Sequence, residues 1–347
     1  MTGVKAVVAI DSFKGCLMAD EVTAVVAEVL HTLHPDWEIV QCPLADGGDG
    51  TLEVLMPALQ GEYRKAAVHD PLGRPVTALW GLAGETAVIE VAEACGLKYL
   101  TMEERNPLKA STYGVGELLL AAREAGARHF LIGLGGTATC DGGQGMLEVP
   151  GLVDALKGCK VELLCDVENP LLGPDGAAFV FGPQKGASEV DVLFLEQRMR
   201  TWAVTVLEQT GMDVRLLPAA GAAGGLGGAM MAYFGGIRVS GIDRIMDILS
   251  FDQLLEGAGV IFTGEGKADL QTLSGKVSQG VLLHSRGIPV VLVAGSMEYQ
   301  KELLDAGFSA LVQVTPEGVP LSEAIRPEVA RKNVAAAIAE WDSCYCG

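Results

Sequence analysis

The sequence predicts an α/β protein: a Rossmann-like parallel-sheet domain built from both chain ends, with a second α/β domain inserted between them. Three observations lead there. Apolar, β-branched runs alternate with helix-length amphipathic stretches at both ends of the chain. Glycine accounts for 45 of the 347 residues and clusters in the loops that follow such runs. Hydrophobic residues make up 49% of the chain but aromatic ones only 5%, so the interior is built of small and aliphatic side chains. A chain of this length is expected to hold two cores.

Taken in order, residues 5–10 (KAVVAI) read as a strand, 11–15 as a loop and 19–33 as an amphipathic helix. The passage repeats with a strand at 37–42, a Gly/Asp loop at 43–50 and a helix at 51–59. From about residue 61 the texture becomes β-rich, with strands at 63–69, 75–82 and 86–92 separated by turn residues. A helix at 112–125 and a buried strand at 128–134 lead into a second Gly-rich loop, and a short strand at 161–165 ends in Asp166. A long helix at 188–209 precedes a Gly/Ala-rich segment. Beyond it strands at 259–263, 288–294 and 310–314 alternate with helices at 274–285, 297–306 and 328–341. These repeats place one domain at 1–60 plus 255–347 and the inserted domain at 61–254, with the active site expected in the cleft between them.

A formal charge of −19 repels phosphate backbones and anionic membrane surfaces, so neither nucleic acid nor membrane is an expected partner. An anion site in such a chain needs locally gathered lysines, backbone N–H groups or a metal ion. The eight cysteines form no C-x-x-C pair and read as reduced, mostly buried thiols, with Cys344 and Cys346 a weak adventitious metal pair. No charged n-region precedes a long apolar run at the N-terminus, so a cytoplasmic protein is expected. The uncharged stretch 218–237 is dominated by Gly and Ala, which predicts a tightly packed helix entered through a Gly-rich turn and not a membrane span.

The chemistry-bearing residues lie in loops. In Asp46-Gly47-Gly48-Asp49-Gly50 the glycines allow close backbone approach, while the two acids suit a metal or a substrate hydroxyl; turn chemistry alone also explains Asp-Gly pairs. The loop 133–143 offers many N–H groups, two threonine hydroxyls and Asp141, a phosphate cradle in composition. The run 221–228 lacks a clear preceding strand and a following acid, so close helix packing explains it as well as nucleotide binding does. Neither a G-x-x-x-x-G-K-[ST] loop nor a protein-kinase catalytic loop occurs. Positive charge must come from Lys14, Lys185, Lys267 or Lys276, each of which also reads as an ordinary solvated lysine. Asp166 and Asn169 follow a short strand, a setting for a base that accepts a hydroxyl proton, and Glu265 and Asp269 repeat the pattern. The five histidines lie outside these loops, and no Gly-x-Ser-x-Gly is present. Acid, amide, lysine and glycine without histidine fit transfer of a group already activated on a nucleotide. A nicotinamide-dependent dehydrogenase is disfavoured, because strand, G-x-G-x-x-G, helix and later acid do not occur in series.

In their order the loops resemble glycerate kinase of the bacterial type I family along almost the whole chain. The matching stretches are Asp11-Ser12-Phe13-Lys14, the loop 43–51, the loop 135–143, Cys165-Asp166-Val167-Glu168-Asn169-Pro170-Leu171, Phe181-Gly182-Pro183-Gln184-Lys185-Gly186-Ala187, the run 218–228, and Thr263-Gly264-Glu265-Gly266 with Gln271-Thr272. The resemblance implies a two-domain enzyme that phosphorylates D-glycerate with ATP and Mg²⁺. Residue chemistry then suggests Asp166 as the catalytic base, with Asp46 second and Lys185 the catalytic cation. Asp11, Ser12, Lys14, Asp49 and Asn169 would bind substrate; Gly135, Gly136, Thr137, Gly221, Gly224 and Gly225 the nucleotide; and Asp141, Glu265 and Asp269 the metal. One departure stands out: between Met146 and the Cys165-Asp166 strand the family has a longer segment than the 147–164 bridge found here. A catalytically weakened relative that binds nucleotide or hydroxy acid is therefore the alternative. The phosphorylated hydroxyl, the pathway and assembly as a homodimer stay open.

Overall fold

A computed structural model describes residues 3–345, which form two compact units: residues up to Asp46 together with those from Ile242 onward, and Gly47–Gly241. Cys346 lies outside the described residues. The boundaries fall short of the expected 60 and 255 because the helix Thr51–Ala58 belongs to the inserted unit, where Leu52 lies against Gly81 of that unit's sheet, and because the helix Gly241–Ile248 belongs almost wholly to the first.

The first unit carries β1 (Lys5–Ile10) and β2 (Glu38–Gln41) from the chain's start. The inserted unit carries β3 (Glu62–His69), β4 (Pro75–Ala83), β5 (Thr86–Glu90), β6 (His129–Gly133), β7 (Lys160–Leu164) and β8 (Ile237–Val239). The first unit is completed by β9 (Ala258–Ala268), β10 (Val290–Met297) and β11 (Ala310–Gln313). Its five strands are all parallel, in the order β11-β10-β9-β1-β2. Counted along the chain within the unit this is the doubly wound order 2-1-3-4-5, whose switch point lies between β1 and β9. Val8, Ile10, Phe262, Val291 and Val293 fill one face of this sheet against Val22, Val26 and Leu30 of the helix Ala19–Leu33 and Val334 and Ile338 of the helix Pro327–Tyr345. The spacing of 22, 26 and 30 is the i, i+4 stripe that reads as a helix in the sequence. Acids fill that helix's first turn, where Glu21 accepts from the Met18 amide at 2.9 Å and closes the N-terminus.

The inserted unit has a six-stranded sheet, β3-β4-β5-β6-β7-β8, antiparallel across β3-β4-β5 and parallel from β5 to β8. Ile89, Phe130, Ile132 and Leu163 pack against Leu118 and Leu119 of the helix Tyr113–Glu124. A satellite core forms under the helix Glu189–Thr210, where Leu195, Met199 and Val206 meet Leu171, Ala177 and Ala178. That helix opens on a Ser188/Asp191 capping box and closes on Gly211 in the left-handed region. The Gly/Ala-rich segment becomes the buried helix Leu226–Phe234, entered through a tight turn at Ala222–Gly225. No described helix is long and apolar enough to cross a membrane. Cys42, Cys95, Cys140 and Cys165 are buried, and burial pushes the Cys42 and Cys95 thiols up to about 12, which keeps them unreactive.

Candidate active site

In the first unit the carboxyl ends of β1 and β9 meet at the switch point, the place where open α/β sheets bind ligands. Asp11 follows β1 directly, and its amide donates to the Gly264 carbonyl at 3.0 Å. Glu265 is the next residue on β9. The loop after β2 is drawn alongside by Cys42 N–H to Val8 O at 2.8 Å and Leu44 N–H to Ile10 O at 3.1 Å, which delivers Asp46. Gly266 lets the strand lie close to Lys14, whose amide nitrogen would sit 3.4 Å from a Cβ there. Burial, then the Asp46 charge and more weakly that of Glu265, push the Asp11 carboxyl up to about 7, against the pull of the Ser12 amide and Lys14. Ser12 N–H donates to Asp11 Oδ1 at 2.6 Å. Glu265 is 6% exposed; its Oε2 accepts from Lys276 Nζ at 3.0 Å, while its buried Oε1 has no hydrogen-bond partner among the described residues. Asp269 caps the turn Leu270–Leu273 through Gln271 N–H at 2.8 Å and lies 3.7 Å from Lys267 Nζ.

In the inserted unit the loops after β5, β6 and β7 gather at the carboxyl edge of the parallel strands. The loop carrying Asp49 lies on the loop after β6, backbone against backbone at two points, where a Cβ on Gly133 would stand 2.3 Å from Gly47 O and one on Gly135 2.7 Å from Gly48 Cα; a Cβ on Gly136, at φ +70°, would stand 2.8 Å from the side-chain Oδ1 of Asp49. Only glycine permits that approach. Gly136 and Asp49 are exposed, so the junction is open to a ligand. Beneath it Lys185 is 3% exposed and donates to Thr137 Oγ1 at 2.9 Å and Thr139 O at 2.7 Å. Neither partner is charged, so the buried ammonium lends its charge to the loop above it. Glu90, at the end of β5, accepts from Leu52 N–H at 2.8 Å and so secures the first turn of the helix after Asp49. Burial pushes its carboxyl up to about 8 despite that amide, with Glu53, Asp49 and Glu93 adding to the rise.

Other expected site residues have different surroundings. Asp166 is half-buried beyond β7, with Oδ1 accepting from Gly241 N–H at 2.9 Å. Asn169 is spent on its own turn, donating to Asp175 O at 2.9 Å. Asp141, expected to bind metal, is 7% exposed and accepts from Thr112 N–H and Oγ1 at 2.8 Å each and from Gly143 and Gly145 N–H at 3.1 Å each. Four donors fill the carboxylate, which makes it a loop anchor in place of a metal ligand. Gly221, Gly224 and Gly225, expected to approach nucleotide, are buried: their Cβ positions lie 2.1 Å from Pro170 O, 2.0 Å from Thr139 O and 2.8 Å from Gly142 Cα. They serve backbone packing. Among the described residues no group of three or more His, Cys, Asp or Glu could hold a metal ion by itself. Sequence reasoning passed over Glu90, hidden at the end of an apolar run, and gave Lys276 no role beyond a loose cation. The Ser274-Gly275-Lys276 turn before a helix was the available signal.

Comparison with known proteins bears on the whole chain. Residues 6–155 and 147–342 match the model of the glycerate kinase family. Glycerate 2-kinase of Escherichia coli (strain K12) is 37% identical, with 96% of this chain and 98% of that protein covered. Glycerate kinase of Bacillus subtilis (strain 168) is 37% identical over 92% of each. A crystal structure from Salmonella typhimurium LT2 assigned as glycerate kinase 2 is 35% identical, with a TM-score of 0.80 over 98% of this chain and 100% of that one. The alignment with the E. coli relative spans 377 positions, more than the 347 residues here, and the two matched segments of the family overlap at 147–155, where the sequence reads as shortened.

Proposed function

Because the chain belongs to the glycerate kinase family, we propose that it is an ATP-dependent kinase that transfers the γ-phosphoryl group to a hydroxyl of D-glycerate, giving phosphoglycerate and ADP. The name of the E. coli relative extends the reading to the 2-hydroxyl. At the level of residues one observation carries it: Asp11, Asp46 and Glu265 crowd the switch point of a doubly wound sheet with Lys14 and Lys276 beside them.

Phosphoryl transfer asks a protein for positioning, a proton acceptor for the attacking hydroxyl and positive charge on the phosphates. On this reading Asp166, oriented by the Gly241 amide, accepts the hydroxyl proton, with Asp46 the second candidate. Lys14 meets the glycerate carboxylate, and Asp11, Ser12 and Asp49 hold its hydroxyls. The Gly135-Gly136-Thr137 loop, charged from below by Lys185, receives phosphate oxygens. Mg²⁺ keeps several waters and binds through one or two carboxylates plus phosphates. Glu265, with its unpartnered buried oxygen, fits as such a ligand, and Asp141 does not. Bound there, the metal would neutralise phosphate charge. The scheme is set in the cytoplasm, where ATP is supplied.

The shortened bridge after Met146 is the one observation favouring a binding protein without turnover. Purified protein with ATP, Mg²⁺ and D-glycerate separates the readings. Glycerate-dependent ADP with 2-phosphoglycerate as product is expected; saturable ATP and glycerate binding with no ADP would establish the binder instead.

A further inference from the structure

We propose that Lys276 is a substrate-binding residue of this reaction, whose ammonium engages an anionic oxygen of a substrate and is held ready for it by Glu265. The inference deepens the kinase reading and rests on it. Lys276 stands at the turn from Gly275 into the helix Val277–His284, close to the switch point through Glu265. Its side chain is 35% exposed, whereas that of Glu265 is 8% exposed, so the pair bridges buried sheet and solvent.

The pair is not built as a structural ion pair would be. A buried carboxylate stabilises a fold when both oxygens are satisfied, and leaving one without a donor is destabilising. Here Glu265 Oε1 has no partner among the described residues, although Asp11 and Asp46 already load the neighbourhood with negative charge. An ammonium tethered by one hydrogen bond at 3.0 Å and open to solvent on its other side retains donors for an incoming anion. Gly275, at φ +84°, makes the turn that sets Lys276 at the start of its helix. Both substrates bring anionic oxygens: phosphates on ATP and a carboxylate on glycerate.

The test compares Lys276→Ala and Lys276→Arg with wild type in two measurements. Calorimetric binding of ATP and of D-glycerate, each alone, needs no turnover; steady-state kinetics varies each substrate in turn. In Lys276→Ala the affinity and KM for one substrate should worsen by about tenfold or more, the scale of a lost charge-assisted hydrogen bond, with partial recovery in Lys276→Arg. A change confined to ATP assigns the contact to phosphate, and one confined to glycerate assigns it to the carboxylate. Binding of both substrates within about twofold of wild type, with only the melting temperature altered, would overturn the proposal. Wild-type protein that forms no ADP would overturn the kinase reading, while the binding comparison would still decide the role of Lys276.

Discussion

Glu90 and Asp11 are carboxyls withdrawn from water among other acids, and both hold their protons far above the ordinary range. For Glu90 the consequence is a stability term with a definite sign. In the unfolded chain it ionises near 4.5, whereas in the fold it keeps its proton to about 8. Its contribution to stability is therefore complete below about pH 4.5 and is lost as pH rises through about 8. Glu90→Gln keeps an oxygen for the Leu52 amide and cannot ionise, so its melting temperature should fall less than that of wild type between pH 5 and 9; parallel curves would discard Glu90 as the source. Asp166 makes a different prediction. Asn at this position can still accept from the Gly241 amide but cannot take a proton, so Asp166→Asn should lower kcat by about 100-fold or more with an unchanged melting temperature. Undiminished turnover would pass the role of base to Asp46.

At the scale of elements, the glycine-rich stretches do two different jobs. The loops at 47–50 and 133–136 lie at an accessible edge, whereas the turn Ala222–Gly225 is locked against Thr139 to Gly142. That second contact supports the carbonyl to which Lys185 donates. Gly224→Ala would drive a Cβ to 2.0 Å from Thr139 O at a φ of +69°. A loss of about 2–4 kcal/mol is expected, seen as a fall of roughly 5–10 °C in melting temperature together with reduced turnover. The bridge from β6 to β7 shows how a short connection can still close a core. Met146 and Leu152 are fully buried and Val149 and Leu156 nearly so, with the Met146 carbonyl 2.4 Å from where a Gly116 Cβ would lie. The helix Tyr113–Glu124 is thus covered without the longer segment, and the glycerate-dependent turnover expected above does not require that segment for folding.

At the scale of the molecule, each unit presents loops at the carboxyl ends of parallel strands, acids in one and glycines over a buried lysine in the other. The strand and helix sequence of both units could be read from periodicity, and β1 and the helix Ala19–Leu33 were legible to the residue, because their apolar patterns are long and bounded by loop residues. β8 was not, since three residues, Ile237 to Val239, after a Gly/Ala run carry no period to detect. The loops that matter were legible as clusters of glycine, acid and lysine, and the family resemblance followed from their order. Which glycines face a ligand and which face backbone was undecidable from composition, as was the fate of Asp141, whose carboxylate is consumed by donors from residues 112, 143 and 145. The pairing of Glu265 with Lys276 and the crowding of Asp11 by Asp46 likewise depend on strand order. The sequence by itself determined the elements and the residue types available for chemistry, because those are local properties of the chain. Only the tertiary structure decided which of those residues are saturated and which retain an open valence, because hydrogen-bond satisfaction is set by neighbours distant along the chain.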